Sequence, residues 1–138
     1  MGVRRLLVLL AVLSFCRAGD IVFIVSERVE VEKLTVREVR KIFLREKDFI
    51  DAITAFPINL PPENPLRKEV ESRILGMDEE DLQLFWNRKY LNGIEPPLVL
   101  SSQEAVKAFV RKIPGAIGYI DEDLLRDEGL KVVFRLKR

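Results

Sequence analysis

Residues 21–25 read Ile-Val-Phe-Ile-Val, an unbroken apolar run rich in β-branched side chains. Such a run predicts a strand buried on both faces, as in a parallel sheet. The pattern then changes to a helical period. Thr35 and Glu38 stand at capping-box spacing, and Val36, Val39, Ile42 and Phe43 share one helical face, which should fade near residues 45–47. Residues 53–59 (Ile-Thr-Ala-Phe-Pro-Ile-Asn) predict a second strand, with Pro57 favouring an edge or a strand end. Asn64 followed by Pro65 reads as an N-cap and first helical position. Leu66, Val70 and Ile74 recur every four residues, and the helix should end at Gly76. Asp78 caps a third helix with an expected inner face of Leu82, Phe85, Trp86 and Tyr90. Asn92-Gly93 stops it.

After Pro96-Pro97, residues 98–100 form a short candidate strand. Ser101 and Glu104 stand at capping-box spacing for a fourth helix, with Ala105, Val106, Phe109 and Val110 inward and Pro114-Gly115 at its end. Residues 116–120 (Ala-Ile-Gly-Tyr-Ile) predict another buried strand, 121–127 a helical turn or more, and 131–136 a terminal strand. Alternating strands and helices imply an α/β sandwich with a mixed sheet. No repeat, low-complexity segment or long internal linker divides it.

Residues 1–18 follow different rules. Arg4 and Arg5 precede about ten apolar residues, and small Ala18 and Gly19 precede Asp20. This is the layout of a secretory signal peptide, too short to span a bilayer comfortably. The expectation is therefore export to the periplasm or beyond, with residues 19–138 as a single domain. Residues 13–16 loosely match a lipoprotein box at Cys16, but Phe15 is large where that box takes a small residue. Arg4-Arg5 leaves a twin-arginine route as a lesser alternative.

Composition narrows the chemistry. The chain has 138 residues, no histidine and one cysteine, Cys16. That removes His- or Cys-based metal sites, His-based triads and disulfide frameworks. Residues 1–18 carry Arg4, Arg5 and Arg17, so the body keeps 20 of 23 basic residues against 22 acidic ones, a net charge of −2. Nucleic-acid binding, which needs many clustered cations, is disfavoured. No acid/base pair, nucleophile elbow or P-loop is present, so no catalytic residue and no cofactor is expected.

The candidate chemistry is oxyanion binding. Asn64 and Arg67 stand where a strand gives way to a helix, the usual ligand position in open α/β folds. Asn64 can donate an amide N–H, and Arg67 can form a bidentate contact. Ser102 stands at a second helix start, and Ser26 follows the first strand. These four form one rim only if the sheet brings their loops together. The plainer alternative is that Asn64, Ser101 and Ser102 cap helices and Arg67 is solvated. The acidic run 78–81 is read as helix-terminal charge. Residues 121–123 lack a calcium-loop spacing.

Several stretches in order resemble the phosphate-transporter substrate-binding proteins, above all their short, single-lobe relatives in bacterial envelopes. They are 34–44 (LTVREVRKIFL), Ile58, 64–67 (NPLR), 74–77 (ILGM), Phe85-Trp86, Gly93, Ser102 and 114–120 (PGAIGYI). The resemblance implies a three-layer, single-lobe periplasmic-binding-protein fold with a mixed, mostly parallel sheet. It also implies no catalysis, and phosphate or a similar oxyanion as ligand. In full-length members an arginine and a Ser-Gly-Thr stretch hold phosphate at the helix after the second strand. The matching stretch here is Glu63-Asn64-Pro65: the hydroxyls are missing, Pro65 removes an amide donor, and Glu63 repels an anion. Residues 47–52 also lack the Gly and Trp often seen after the first helix. A lone lobe leaves the ligand wet on one side, so affinity should be weak unless a homodimer or an envelope partner supplies a second wall. An envelope protein-interaction module that kept the fold and lost the ligand is the alternative.

Overall fold

The computed structural model describes residues 19–126 and 128–138. The expected export segment, residues 1–18, lies outside the described residues. The apolar run at the start of the body forms β1 (Ile21–Ser26), buried at every position. It lies inside a five-stranded sheet with β4 (Phe56–Asn59), β5 (Leu98–Val99), β6 (Ala116–Asp121) and β7 (Leu130–Leu136), in the order β5-β4-β6-β1-β7. β4 pairs parallel with both β5 and β6, whereas β1 pairs antiparallel with both β6 and β7. Four strands therefore point one way and β1 opposes them. The sheet is mixed and mostly parallel in direction, but the parallel neighbours expected for β1 are antiparallel ones. An all-apolar strand reports burial on two faces and carries no information about the direction of its neighbours.

Helices cover both faces. α1 (Val36–Phe43) starts with the expected capping box, in which Thr35 accepts from the Glu38 amide and Glu38 returns the bond. Its Phe43 meets Phe23 of β1 and Tyr119 of β6 at centroid distances of 5.5 and 6.0 Å. α4 (Gln103–Lys112) packs on the opposite face: a side chain at Gly118 would meet Val106 at 2.4 Å. The absent Cβ lets this helix lie against the sheet. On α4, Lys107 is buried, and its Nζ donates to the Leu124 carbonyl and pairs with Glu128, each at 2.7 Å. That contact ties the helix to the turn Glu122–Leu124 before β7.

Between α1 and β4 the expected single strand divides. β2 (Phe49–Ile50) and β3 (Ile53–Thr54) form a hairpin about Asp51, whose φ is 53°, and β4 begins afterwards. The chain crosses Gly115 at the break. With φ 94° there, a side chain would lie 2.2 Å from the Thr54 carbonyl. Pro57 sits in an inner strand, but it pairs only with β6, and the β5 ladder starts at Ile58.

α2 (Pro65–Val70) has Asn64 as N-cap and Pro65 in its first turn, as expected, and continues as a π-helical turn, Glu71–Leu75, closed by left-handed Gly76. Leu66, Val70 and Ile74 are buried. α3 (Glu79–Leu91) departs from expectation. Only Leu82 is buried, Phe85 and Trp86 are half-buried, and Tyr90 is 70% exposed. The cap of α4 is Ser102, not Ser101: its Oγ accepts from the Ala105 amide at 3.1 Å.

Candidate functional site at the carboxyl edge of the sheet

The parallel pairing of β4 and β5 places Asn59 opposite Val99, and the Leu100 amide donates to the Asn59 carbonyl. The segments that follow these strands thus leave from one edge. One carries Asn64 and Arg67, and the other carries Ser102. Gln103 anchors the second segment by accepting from the Asp121 amide at 2.7 Å, at the same end of β6.

Ser26 is elsewhere. Because β1 runs against its neighbours, its carboxyl end pairs with Leu130, the first residue of β7, at the opposite edge. Ser26 is 1% exposed, and its Oγ accepts from the Arg28 amide at 3.3 Å. Ser26 therefore lies apart from the edge at which the segments of Asn64, Arg67 and Ser102 emerge.

The remaining three have structural duties. Asn64 Oδ1 accepts from the Leu66 amide at 2.9 Å, which leaves its amide nitrogen as the available donor. Arg67 donates through Nη1 to the Leu60 carbonyl at 2.9 Å and through Nε to Glu71 at 3.1 Å. Its side chain is 16% exposed. Behind it lies a buried network: the Tyr119 hydroxyl donates to Asn59 Oδ1 and accepts from the Leu60 amide. Burial pushes the Tyr119 phenol well above its ordinary range, against the opposing influence of the Leu60 N–H and the Arg67 charge. Ser102 is exposed and keeps its hydroxyl proton for donation.

Sequence reading missed Asn59, Tyr119 and Glu71. Glu71 had a signal, since it stands four residues after Arg67 on one helical face. The Asn59–Tyr119 contact had none, because it spans 60 residues. Beside Arg67 opens a groove of about 940 Å³ toward Trp86. Glu63, Glu71, Asp78 and Glu79 line it against Arg67 and Lys68, so its charge is net acidic. Among the described residues, no three His, Cys, Asp or Glu side chains converge as a metal site. No described helix is long and apolar enough to cross a membrane.

Sheet order, the opposed β1 and helices on both faces define a single lobe of the periplasmic-binding-protein type. Among solved structures, the lobe is similar to those of phosphate transport proteins. A chain assigned as a phosphate ABC transporter substrate-binding protein from Clostridium perfringens, with bound phosphate, matches at TM-score 0.65 and 18% identity over 84% of this chain and 45% of that one. An ABC-type phosphate transport receptor from Vibrio cholerae matches at 0.66 and 17% identity, over 84% and 46%. PstS from Borrelia burgdorferi matches at 0.64 and 17% identity, over 84% and 47%. The chain thus spans about half the length of these proteins. No family model and no curated protein matches the sequence.

Proposed function

We propose that the chain is an exported, non-enzymatic module of the solute-binding type, which meets phosphate or a related oxyanion weakly at the β4–β5 edge. Residues 1–18 serve as its export signal, and residues 19–138 act as one domain. One observation carries this reading: parallel pairing of β4 and β5 brings the segments of Asn64, Arg67 and Ser102 out at one edge of a lobe similar to phosphate-binding ones. The Asn64 amide, the Ser102 hydroxyl and the outer part of the Arg67 guanidinium are its donors. The site is open to water, so each charge-assisted bond is weakened by the surrounding dielectric. Titration of the full chain with inorganic phosphate, followed by calorimetry and thermal shift, tests it. Saturable heat in the millimolar range, reduced in Ser102→Ala and Arg67→Ala, is expected. Silence at those concentrations sinks the reading.

A specific observation favours a second reading, an envelope interaction module that lost its ligand. Arg67 is already neutralised by Glu71, and Glu63 adds a further negative charge to the groove beside it. Edge strand β5 also exposes Leu98 and Val99 at 50% and 46%, and α3 exposes Leu84 and Leu91. A stable protein complex recovered from an envelope fraction, or a dimer by light scattering, together with silence toward phosphate, would select this reading.

A further inference from the structure

A second groove, of about 470 Å³, lies between α1 and the π-helical turn Glu71–Leu75. Arg37, Arg40 and Lys41 stand on its α1 side. Among the described residues none of the three has a carboxylate within 4.0 Å, whereas eight of the 20 Lys and Arg side chains there are paired with one. The floor is apolar: Leu44 and Ile74 are buried, Met77 is half-buried, and Val36 is 49% exposed. Glu46 is the lone carboxylate on the lining. Three cations with one carboxylate thus line a groove whose floor is apolar.

We propose that this groove binds an anionic amphiphile, with a phosphate or carboxylate head against Arg37, Arg40 and Lys41 and an aliphatic stem on Val36, Ile74 and Met77. The volume suits such a ligand. The cations are largely exposed, and exposed pairs in water contribute little, so a bare inorganic anion gains little here. Burial of an alkyl stem supplies what the charges do not. A peptide fits less well. Its backbone needs hydrogen-bond partners, and the walls are helical turns whose amides and carbonyls are largely committed internally. No aromatic residue lines the groove, which removes the stacking platform that single-stranded nucleic acid requires. This groove contains none of Asn64, Arg67 and Ser102, although Met77 lines both it and the groove beside Arg67, and the proposal stands or falls independently of the β4–β5 edge.

The test uses the full chain with dodecyl phosphate below its micellar concentration, octyl phosphate, inorganic phosphate, and phosphatidylglycerol vesicles beside phosphatidylcholine ones. Dodecyl phosphate should bind one-to-one and more tightly than octyl phosphate, by up to about fourfold per methylene that the groove accommodates. Inorganic phosphate should bind this groove weakest. The triple variant Arg37→Gln, Arg40→Gln, Lys41→Gln should lose about tenfold or more. Val36→Glu supplies a second variant. It adds a repelling carboxylate in the first turn of α1, where the helix dipole favours one, so folding is preserved. Arg88→Gln, Lys89→Gln and Lys112→Gln together, all outside the groove, remove the same three charges as a control and should keep the wild-type affinity. Binding to phosphatidylglycerol vesicles that the triple variant loses identifies the source as a bilayer. Binding of the free amphiphile alone identifies a soluble one. The comparison cancels any vesicle affinity of residues 1–18, which all variants share. Equal affinity for dodecyl and inorganic phosphate overturns the proposal, and so does unchanged binding in both groove variants.

Discussion

Tyr119 shows how a single side chain can hold the candidate edge together without touching a ligand. It is 1% exposed, packs on Phe23 at 5.4 Å, and uses its hydroxyl twice, toward Asn59 and the Leu60 amide. Leu60 in turn accepts from Arg67, so the phenol sets the strand end that the guanidinium grips. Tyr119→Phe keeps the ring and leaves two buried polar groups unpaired, at a cost of about 1–3 kcal/mol in urea unfolding at neutral pH. The pH dependence has a definite sign. Burial raises the phenol above its ordinary 10.0, so the folded state holds that proton more tightly than the unfolded chain. The corresponding stability is complete below 10.0 and declines as pH rises beyond it. The urea midpoint of wild type should therefore fall more steeply above pH 10.0 than that of Tyr119→Phe. Parallel curves would show that the phenol is not the titrating group. Residue roles were legible in the sequence where they were local: Thr35 with Glu38 and Asn64 with Pro65 are set by neighbours one to three positions away. Tyr119 was legible as core and illegible as a network centre, because its partners come from a different strand.

At the scale of elements, caps and boundaries follow from local chemistry, whereas direction and face follow from the whole sheet. The apolar run of β1 announces burial, but only its pairing with β6 and β7 reveals that it runs backwards. That reversal is what carries Ser26 away from Asn64 and Ser102. α3 misled for a related reason. Leu82, Leu84, Phe85, Trp86, Tyr90 and Leu91 surround the helix, so no single stripe marks its inner face. β7 illustrates how terminal elements are fastened. Arg135 pairs with Asp20 and Glu122, and the Arg138 amide donates to Asp20. The Arg138 amide and the Arg135 guanidinium hold the Asp20 carboxyl below its ordinary value, and Arg135 does the same for Glu122. Lys107, then Arg111, lower Glu128 where the chain enters β7. Depressed carboxylates contribute stability above their unfolded values, here 3.8 for Asp20 and 4.5 for the glutamates, and lose it as pH falls through the folded ones. Arg135→Gln should therefore flatten the acid limb of the urea midpoint against pH, with its difference from wild type shrinking as pH falls below that range. A constant difference down to low pH would assign Arg135 a packing role instead.

At the scale of the whole molecule, the described residues form one lobe, and the chain spans about half the length of proteins of similar fold. An edge open to water can retain an oxyanion only through charges that are not already spent, and the Arg67 charge is largely spent on Glu71. The pair is 16% and 19% exposed and closes at 3.1 Å, so it competes directly with any ligand for the same guanidinium. Its strength is of the order of 1 kcal/mol, a factor of about five in an equilibrium constant. Glu71→Gln removes the competing charge, keeps a hydrogen-bond acceptor for Arg67 Nε, and makes the neighbouring groove less acidic. If the β4–β5 edge is the anion site, phosphate titration by calorimetry should show affinity rising about fivefold in Glu71→Gln, and the gain should vanish in the double variant with Arg67→Ala. An affinity that stays flat or falls would mean that Arg67 is a brace between Leu60 and Glu71 and nothing more. The lobe would then share its fold with phosphate-transport proteins while committing this cation to its own structure, which is the condition under which the protein-interaction reading takes over.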